Sequence, residues 1–346
     1  MLSNNDSNRK KLITILDRRS QEVLQAFRRA TIAGINDADV VSILEGINVY
    51  WKDIYRPALT SFSCEAVGGE ISIAEDASLM ITLSAAGMGI HDDIIDRSDV
   101  SHFRRTILGR FGLDKSLLVG DLLIIKGLTT ALTFLQKSVP PEKRKAIIGA
   151  LQNFFVEIYE GALMDISCRR NLSTDVDLFS EIIWKLTADG EVCSRIGAIL
   201  GGGSENEIQA LAEFGRRLGF VHHLGEEVND SMNEEGALPH RIEFESVPLP
   251  ILYASKASRN AFMRIESILG QPSLATNDVT DLIKLCWKSR AFAYAYQLAK
   301  KNADQGLDKL TVIRPGPARD ALSLMMQVSL KVLRRARDLE SRYSNC

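Results

Sequence analysis

Asp92, Asp93 and Asp96 carry the strongest chemical signal in the 346-residue chain. They close the run Gly89-Ile90-His91-Asp92-Asp93-Ile94-Ile95-Asp96. Asp92 and Asp96 stand one helical turn apart, so on a helix their carboxylates project side by side, with ~5–6 Å between Cβ atoms. The preceding stretch, Met80–Ile90, is apolar and rich in small residues, the pattern of a buried helix. Carboxylates crowded at the mouth of such a helix repel one another unless a cation sits among them. Mg²⁺ takes one or two carboxylates and completes its shell with water and phosphate oxygens, which suits this spacing. The competing reading is a solvated acidic helix end.

A second acidic run is Glu226-Glu227-Val228-Asn229-Asp230-Ser231-Met232-Asn233-Glu234. Glu226, Asp230 and Glu234 recur at one-turn spacing and share a helix face. This run also follows a mostly apolar helix carrying small residues, Phe214–Leu224. Two inward-facing clusters on separate helices can hold a magnesium–diphosphate assembly, with Asp92, Asp96, Glu226, Asp230 and Glu234 as the expected metal ligands. Metals so placed act as Lewis acids on a leaving group, stabilising charge as a carbon–oxygen bond breaks. An exposed acidic helix is again the alternative. His222 and His223 invite a metal reading, but adjacent residues on a helix point in different directions; packing or a hydrogen bond to the acidic cluster is the expectation.

The elements that must position these groups are helical. Gln21–Ala33, Asp39–Lys52, Ile73–Asp96, Lys115–Leu135, Glu142–Ile166, Leu178–Leu200, Glu205–Asn229, Pro248–Ile268, Val279–Lys301 and Gly316–Arg342 all show helical periodicity. Gly68-Gly69, Pro140-Pro141, Gly201-Gly202-Gly203 and Gly236–Pro239 separate them. Ser204 with Glu207 forms a capping-box pattern. Leu117–Leu135 is apolar on most faces, which suits a central position. No repeat or linker divides the chain. The expectation is an all-α fold: one domain over residues 1–346, about ten or more helices around a central cavity, after a polar tail of about 15 residues.

Composition narrows the classes further. The chain is 45% hydrophobic and 25% charged, with ample material for a core. A net charge of −2 offers no attraction to nucleic acid or anionic lipid. No apolar run reaches the ~18–20 residues of a membrane span, and the polar N-terminal run lacks the apolar centre of a secretory signal. A cytoplasmic location without a transmembrane segment is expected. Cys64, Cys168, Cys193, Cys286 and Cys346 are scattered, with no CxxC pair, and suggest packed thiols and neither zinc nor disulfides.

With two such clusters in order, the chain resembles the polyprenyl synthetase family of trans-isoprenyl diphosphate synthases and their relatives. The resemblance runs from about Tyr50 to Ala254. Ile90–Asp96 is similar to the family's first aspartate-rich motif. Cys64–Gly69, Val119-Gly120-Asp121, Glu160-Gly161 with Asp165, Lys185-Leu186-Thr187-Ala188, Gly197–Gly202 and Leu249–Ala254 fall where the family has similar stretches. The resemblance implies an isoprenoid-synthase-type helical bundle, Mg²⁺, an allylic isoprenoid diphosphate as substrate and a homodimer. It implies catalytic roles for Asp92, Asp93, Asp96 and Lys185, and diphosphate contacts by Arg56, Arg104, Arg105 and Lys185, with Arg97 as a further candidate. Gly87 and Met88 lie where the family sets pocket depth, and a glycine there leaves room for a substrate above ten carbons. Phe154, Phe155, Tyr159 and Trp184 are candidates for cation–π contact with a carbocation.

The departures from the family bear on function. Asp53 stands where the family's isopentenyl diphosphate site has lysine, although Arg56-Pro57 remains. The arginine pair after the first motif falls on Ser101 and His102, with Arg104-Arg105 just beyond. Ala162 replaces a glutamine, His222-His223 a phenylalanine-glutamine, and Glu226-Glu227 two aspartates; the glycine-lysine-x-threonine loop becomes Glu245-Ser246-Val247-Pro248. Most losses are cations or donors that grip a second diphosphate. The expectation is therefore a terpene synthase, a cyclase ionising farnesyl, geranylgeranyl or longer diphosphate. The alternatives are a prenyltransferase that condenses an allylic diphosphate with isopentenyl diphosphate, and a non-catalytic subunit in a heteromer with a prenyl synthase paralogue.

Overall fold

Runs of helix-forming residues punctuated by glycine, proline and short polar caps become helices in the computed structural model, which describes residues 3–101, 104–271 and 273–343. In chain order these are α1 (Ser3–Ile32), α2 (Ala38–Tyr50), α3 (Tyr55–Ala66) and α4 (Ile71–Ile95). A hairpin of β1 (Val100–Ser101) and β2 (Arg104–Arg105) precedes α5 (Ile107–Phe111), α6 (Leu113–Ser138), α7 (Pro141–Ser167) and α8 (Val176–Leu186). Then come α9 (Ala188–Leu200), α10 (Glu205–Met232), α11 (Leu238–Phe244) and α12 (Leu249–Ser255). The series ends with α13 (Arg259–Leu269), α14 (Thr276–Lys288), α15 (Ala291–Lys309) and α16 (Pro317–Tyr343). Asp37, Thr106, Asp175 and Ser258 cap α2, α5, α8 and α13 through their side chains. The capping box at Ser204 forms: Glu207 accepts from the Ser204 amide at 2.8 Å, and Ser204 Oγ accepts from the Glu207 amide at 3.4 Å. The fold is all-α, as expected.

The chain forms two compact units. The first comprises Met1–Leu151, Val192–Ala212 and Val312–Leu322. Its axis is α4, buried on nearly every side from Ala74 to Ile90 and packed against α1, α3 and α6. Phe27, Ile43, Leu44, Ile47, Leu83, Ala86, Ile90 and Leu123 build a continuous core there. Glycines let α4 and α6 approach closely: a Cβ on Gly87 would lie 2.5 Å from the Gly120 carbonyl oxygen. The second unit comprises Gln152–Glu191, Glu213–Thr311 and Ser323–Cys346. Its centre is the short buried α12, which packs on α8, α13, α14 and α15.

Several sequence expectations are corrected. The polar N-terminal tail is helical from Ser3, and Leu12, Leu16, Val23 and Phe27 bury one face of α1. Leu178–Leu200 is two helices, broken at Thr187. Pro248–Ile268 divides before the Ser258 cap. Val279–Lys301 divides at Arg290, whose φ of 63° lies in the left-handed region. There the buried carboxylate of Glu340 accepts from the amides of Phe292 and Ala293 at 3.0 and 2.9 Å, so a distant side chain starts α15.

By length and composition α4 and α6 are each apolar enough to cross a membrane, contrary to the expectation that no run is. For α4 that apolarity is core, since 67% of its most apolar window is buried; for α6 the share is 33%. Thus α6 is not central on all sides. One face packs on α4, while Leu117, Leu118, Ile125, Leu128 and Leu132 are exposed. Cys64, Cys168, Cys193 and Cys286 are buried thiols; Cys346 lies outside the described residues.

Candidate active site

The first aspartate cluster sits on the last turn of α4. The Asp96 amide still donates to the Asp92 carbonyl at 2.9 Å, so the two aspartates keep their one-turn spacing. The helix then stops in a Schellman arrangement: Ser98 N donates to Asp93 O at 2.8 Å and Arg97 N to Ile94 O at 3.2 Å. Arg97 occupies the left-handed position, with φ 54°, where glycine is usual. Three carboxylates therefore crowd the negative end of a helix dipole. Asp92 is exposed, and Asp93 and Asp96 are half-buried. Burial, then the charges of Asp92 and Asp96, push the Asp93 carboxyl up to about 7. Among the described residues no three His, Cys, Asp or Glu side chains are placed together to hold a metal ion. Two aspartates one turn apart, completed by water and phosphate oxygens, nevertheless suit Mg²⁺, and its charge would relieve the repulsion.

The cations expected in the same unit divide into two groups. Asp53, 4% exposed, accepts from the amides of Tyr55 and Arg56, both at 3.1 Å, and so starts α3. Its other oxygen binds the Arg56 guanidinium at 3.0 Å. The residue that replaces the expected lysine thus also neutralises the neighbouring arginine, a pairing sequence reasoning missed although the i, i+3 spacing was visible. Arg104 and Arg105 are exposed on β2, paired with Ser101 and Val100 respectively. The hairpin is anchored by Thr106, whose hydroxyl donates to the Ser98 carbonyl at 2.6 Å. Arg104 and Arg105 therefore directly follow the aspartate cluster along the chain. His102 lies outside the described residues.

The second acidic cluster begins on the last turns of α10, in the other unit; Glu234 lies past the helix end, beyond Asn233 with φ 56°, so it does not share the expected helix face with Glu226 and Asp230. Glu226 is more than half exposed, with His222 Nε2 at 3.5 Å. Glu227, only 1% exposed, points inward and is paired with Arg241 of α11, with His223 Nε2 at 3.7 Å. Arg241 also binds Asp230 at 3.0 Å and Glu245 at 3.0 Å. Burial pushes Asp230 up to about 6; Arg241 opposes that rise, and Glu227 and Glu226 add to it. Glu234 is engaged by Arg335 of α16 at 2.9 Å. Of the expected ligands in this run, Glu226 faces outward, whereas Asp230 and Glu234 are held by arginines. Arg241 was not singled out from the sequence, because only the fold brings α11 back over α10.

Lys185, at the end of α8, binds Glu160 of α7 at 2.8 Å, and that hydrogen bond raises its pKa. Gly161 permits the approach, since a Cβ there would lie 2.9 Å from Lys185 Cβ. The aromatic candidates separate. Phe154 is buried against Phe155 at 4.9 Å, Tyr159 is exposed, and Trp184 has the guanidinium groups of Arg216 and Arg217 over its ring at 5.7 and 5.5 Å. Gly87 does not open a pocket; it faces α6, where its missing side chain permits helix contact.

Residues 52–286 match the model of the polyprenyl synthetase family. A short chain isoprenyl diphosphate synthase from Methanothermobacter thermautotrophicus is 25% identical over 320 residues, covering 91% of this chain and 97% of that protein. A geranylgeranyl pyrophosphate synthetase structure from Pyrococcus horikoshii superposes with a TM-score of 0.82 at 22% identity, covering 93% of this chain and 98% of that one. A Caulobacter crescentus polyprenyl synthase, solved with calcium and isoprenyl diphosphate, gives a TM-score of 0.78 at 18% identity, with coverages of 92% and 97%.

Proposed function

The chain belongs to the polyprenyl synthetase family, and from that premise we propose that it is a divalent-metal-dependent isoprenyl diphosphate synthase, acting as one catalytic domain. It joins an allylic diphosphate to isopentenyl diphosphate: the allylic carbon–oxygen bond breaks, that carbon bonds to the terminal alkene carbon of the acceptor, and a proton leaves. This replaces cyclisation as the leading reading, because the relatives matched over most of the chain are named as synthases. The carrying observation on the chain itself is the crowding of Asp92, Asp93 and Asp96 at the end of the buried α4, which pushes the Asp93 carboxyl up to about 7.

In this reading Asp92 and Asp96 hold Mg²⁺, which when bound would supply electrophilic stabilisation of the departing diphosphate. Arg104 and Arg105, on the hairpin after the cluster, supply guanidinium donors to phosphate oxygens, and Lys185 supplies an ammonium group. Lys185 must exchange Glu160 for phosphate to do so. Ionisation is favoured when those donors are already oriented where negative charge develops.

One observation favours cyclisation as a second reading: Asp53 occupies Arg56 and so weakens the site for a second diphosphate. Purified protein with Mg²⁺ and farnesyl, geranylgeranyl or geranylfarnesyl diphosphate, with and without isopentenyl diphosphate, separates the readings by mass spectrometry. Longer prenyl diphosphates formed only with isopentenyl diphosphate support the synthase; a diphosphate-free terpene formed without it supports the cyclase. Asp92→Ala is expected to lower either activity by ~10²–10³, and full activity in that variant sinks the metal assignment.

We also propose a homodimer through α6. Leu118, Ile125, Leu128 and Leu132 fall at a and d positions of a heptad and are exposed in a contiguous stripe. Light scattering should give twice the 38.3 kDa chain mass, and Leu118→Glu with Ile125→Glu should give monomer. A monomeric parent active only with a paralogue would instead support the heteromer.

A further inference from the structure

The second acidic cluster already contains a cation supplied by the chain. Asn233 turns the chain after α10 in the left-handed conformation, with φ 56°, and its side chain accepts from the Leu238 amide at 3.0 Å. That turn starts α11 and brings Arg241 back against the last turns of α10. Its guanidinium meets Glu227 through Nη2, Asp230 through Nη1 at 3.0 Å and Glu245 through Nε at 3.0 Å. The remaining Glu227 oxygen accepts from the Leu249 amide at 3.3 Å. Glu227 and Arg241 are 1% and 12% exposed.

We propose that Arg241 is the resident cation of this cluster, taking Glu227 and Asp230 out of the set of metal ligands and leaving Glu226 as the outward-facing carboxylate. A metal ligand must present a lone pair to an ion that keeps several waters. Both Glu227 oxygens are used inside the protein, and the Asp230 oxygen that faces Arg241 is used as well. A divalent ion there would sit beside a fixed guanidinium, and admitting it means breaking a buried ion pair, which strands a charge. Metal binding in the first unit then rests on Asp92 and Asp96. This inference rests on the reading that the chain is a metal-dependent member of its family.

The test counts Mn²⁺ bound per full-length chain by electron paramagnetic resonance, with Mn²⁺ alone and with Mn²⁺ plus inorganic pyrophosphate. Arg241→Gln should bind one Mn²⁺ more than the parent, adding Asp230→Asn should remove that gain, and Arg241→Lys should behave as the parent. In the parent background, Asp230→Asn should leave the count unchanged and the affinity within about twofold. Asp230→Asn is a mild change that keeps the proposal testable should Arg241→Gln fail to fold. Loss of one Mn²⁺ per chain in Asp230→Asn, or an Arg241→Gln protein that folds and binds the parental number, overturns the proposal. Failure of the underlying reading looks different: Asp92→Asn would then leave Mn²⁺ binding intact.

Discussion

Neutralising Asp93 should stabilise the metal-free protein at neutral pH while leaving it unchanged in acid. Its carboxyl is raised from 3.8 to about 7 by burial and by Asp92 and Asp96. The folded state therefore binds this proton more tightly than the unfolded chain. The resulting cost is absent below about pH 4, grows as pH rises from 4 to 7, and is complete above 7. At 1.36 kcal/mol per pH unit the rise corresponds to about 4 kcal/mol. Asp93 is half-buried and partly screened by water, so about 2 kcal/mol is the expected net penalty. The assay is urea denaturation in EDTA at pH 4.5, 6 and 8 for the parent and Asp93→Asn. The two curves should lie close together at pH 4.5 and separate by about 2 kcal/mol at pH 8. Saturating Mg²⁺ should recover much of that difference in the parent and little in the variant, because bound metal compensates the same charge. Parallel pH profiles in EDTA would refute the charge-crowding argument.

Other perturbations probe different links. Gly87→Ala places a Cβ 2.5 Å from the Gly120 carbonyl oxygen and 2.8 Å from Ile124 Cγ1; it should cost ~1–3 kcal/mol in urea denaturation, with no change in product chain length by mass spectrometry. Asp53→Asn keeps an oxygen for the Tyr55 and Arg56 amides but releases the Arg56 charge. In a synthase its KM for isopentenyl diphosphate should fall by ~10–100-fold, the worth of a charged hydrogen bond; an unchanged KM means Arg56 does not touch that substrate. Glu340→Ala strands the Phe292 and Ala293 amides and should cost ~2 kcal/mol, with hydrogen exchange accelerated first at the start of α15.

Local order was legible in the residues themselves. Helical periodicity, glycine and proline breaks and the Ser204–Glu207 box define most helices, because they act within a turn or two of chain. The aspartate triplet after a buried apolar run likewise announces a charge problem that a cation resolves, since one-turn spacing alone makes the carboxylates neighbours. What the tertiary structure decided depends on residues far apart in sequence. Glu340 divides α14 from α15, α6 turns an apolar stripe outward, and Gly87 serves helix contact where pocket depth was expected. Arg241 claims Glu227 and Asp230 for itself. Sequence shows which side chains carry charge or apolar surface, but which partner neutralises or covers each is set by long-range packing, and at both acidic clusters that partner determines the chemistry left available.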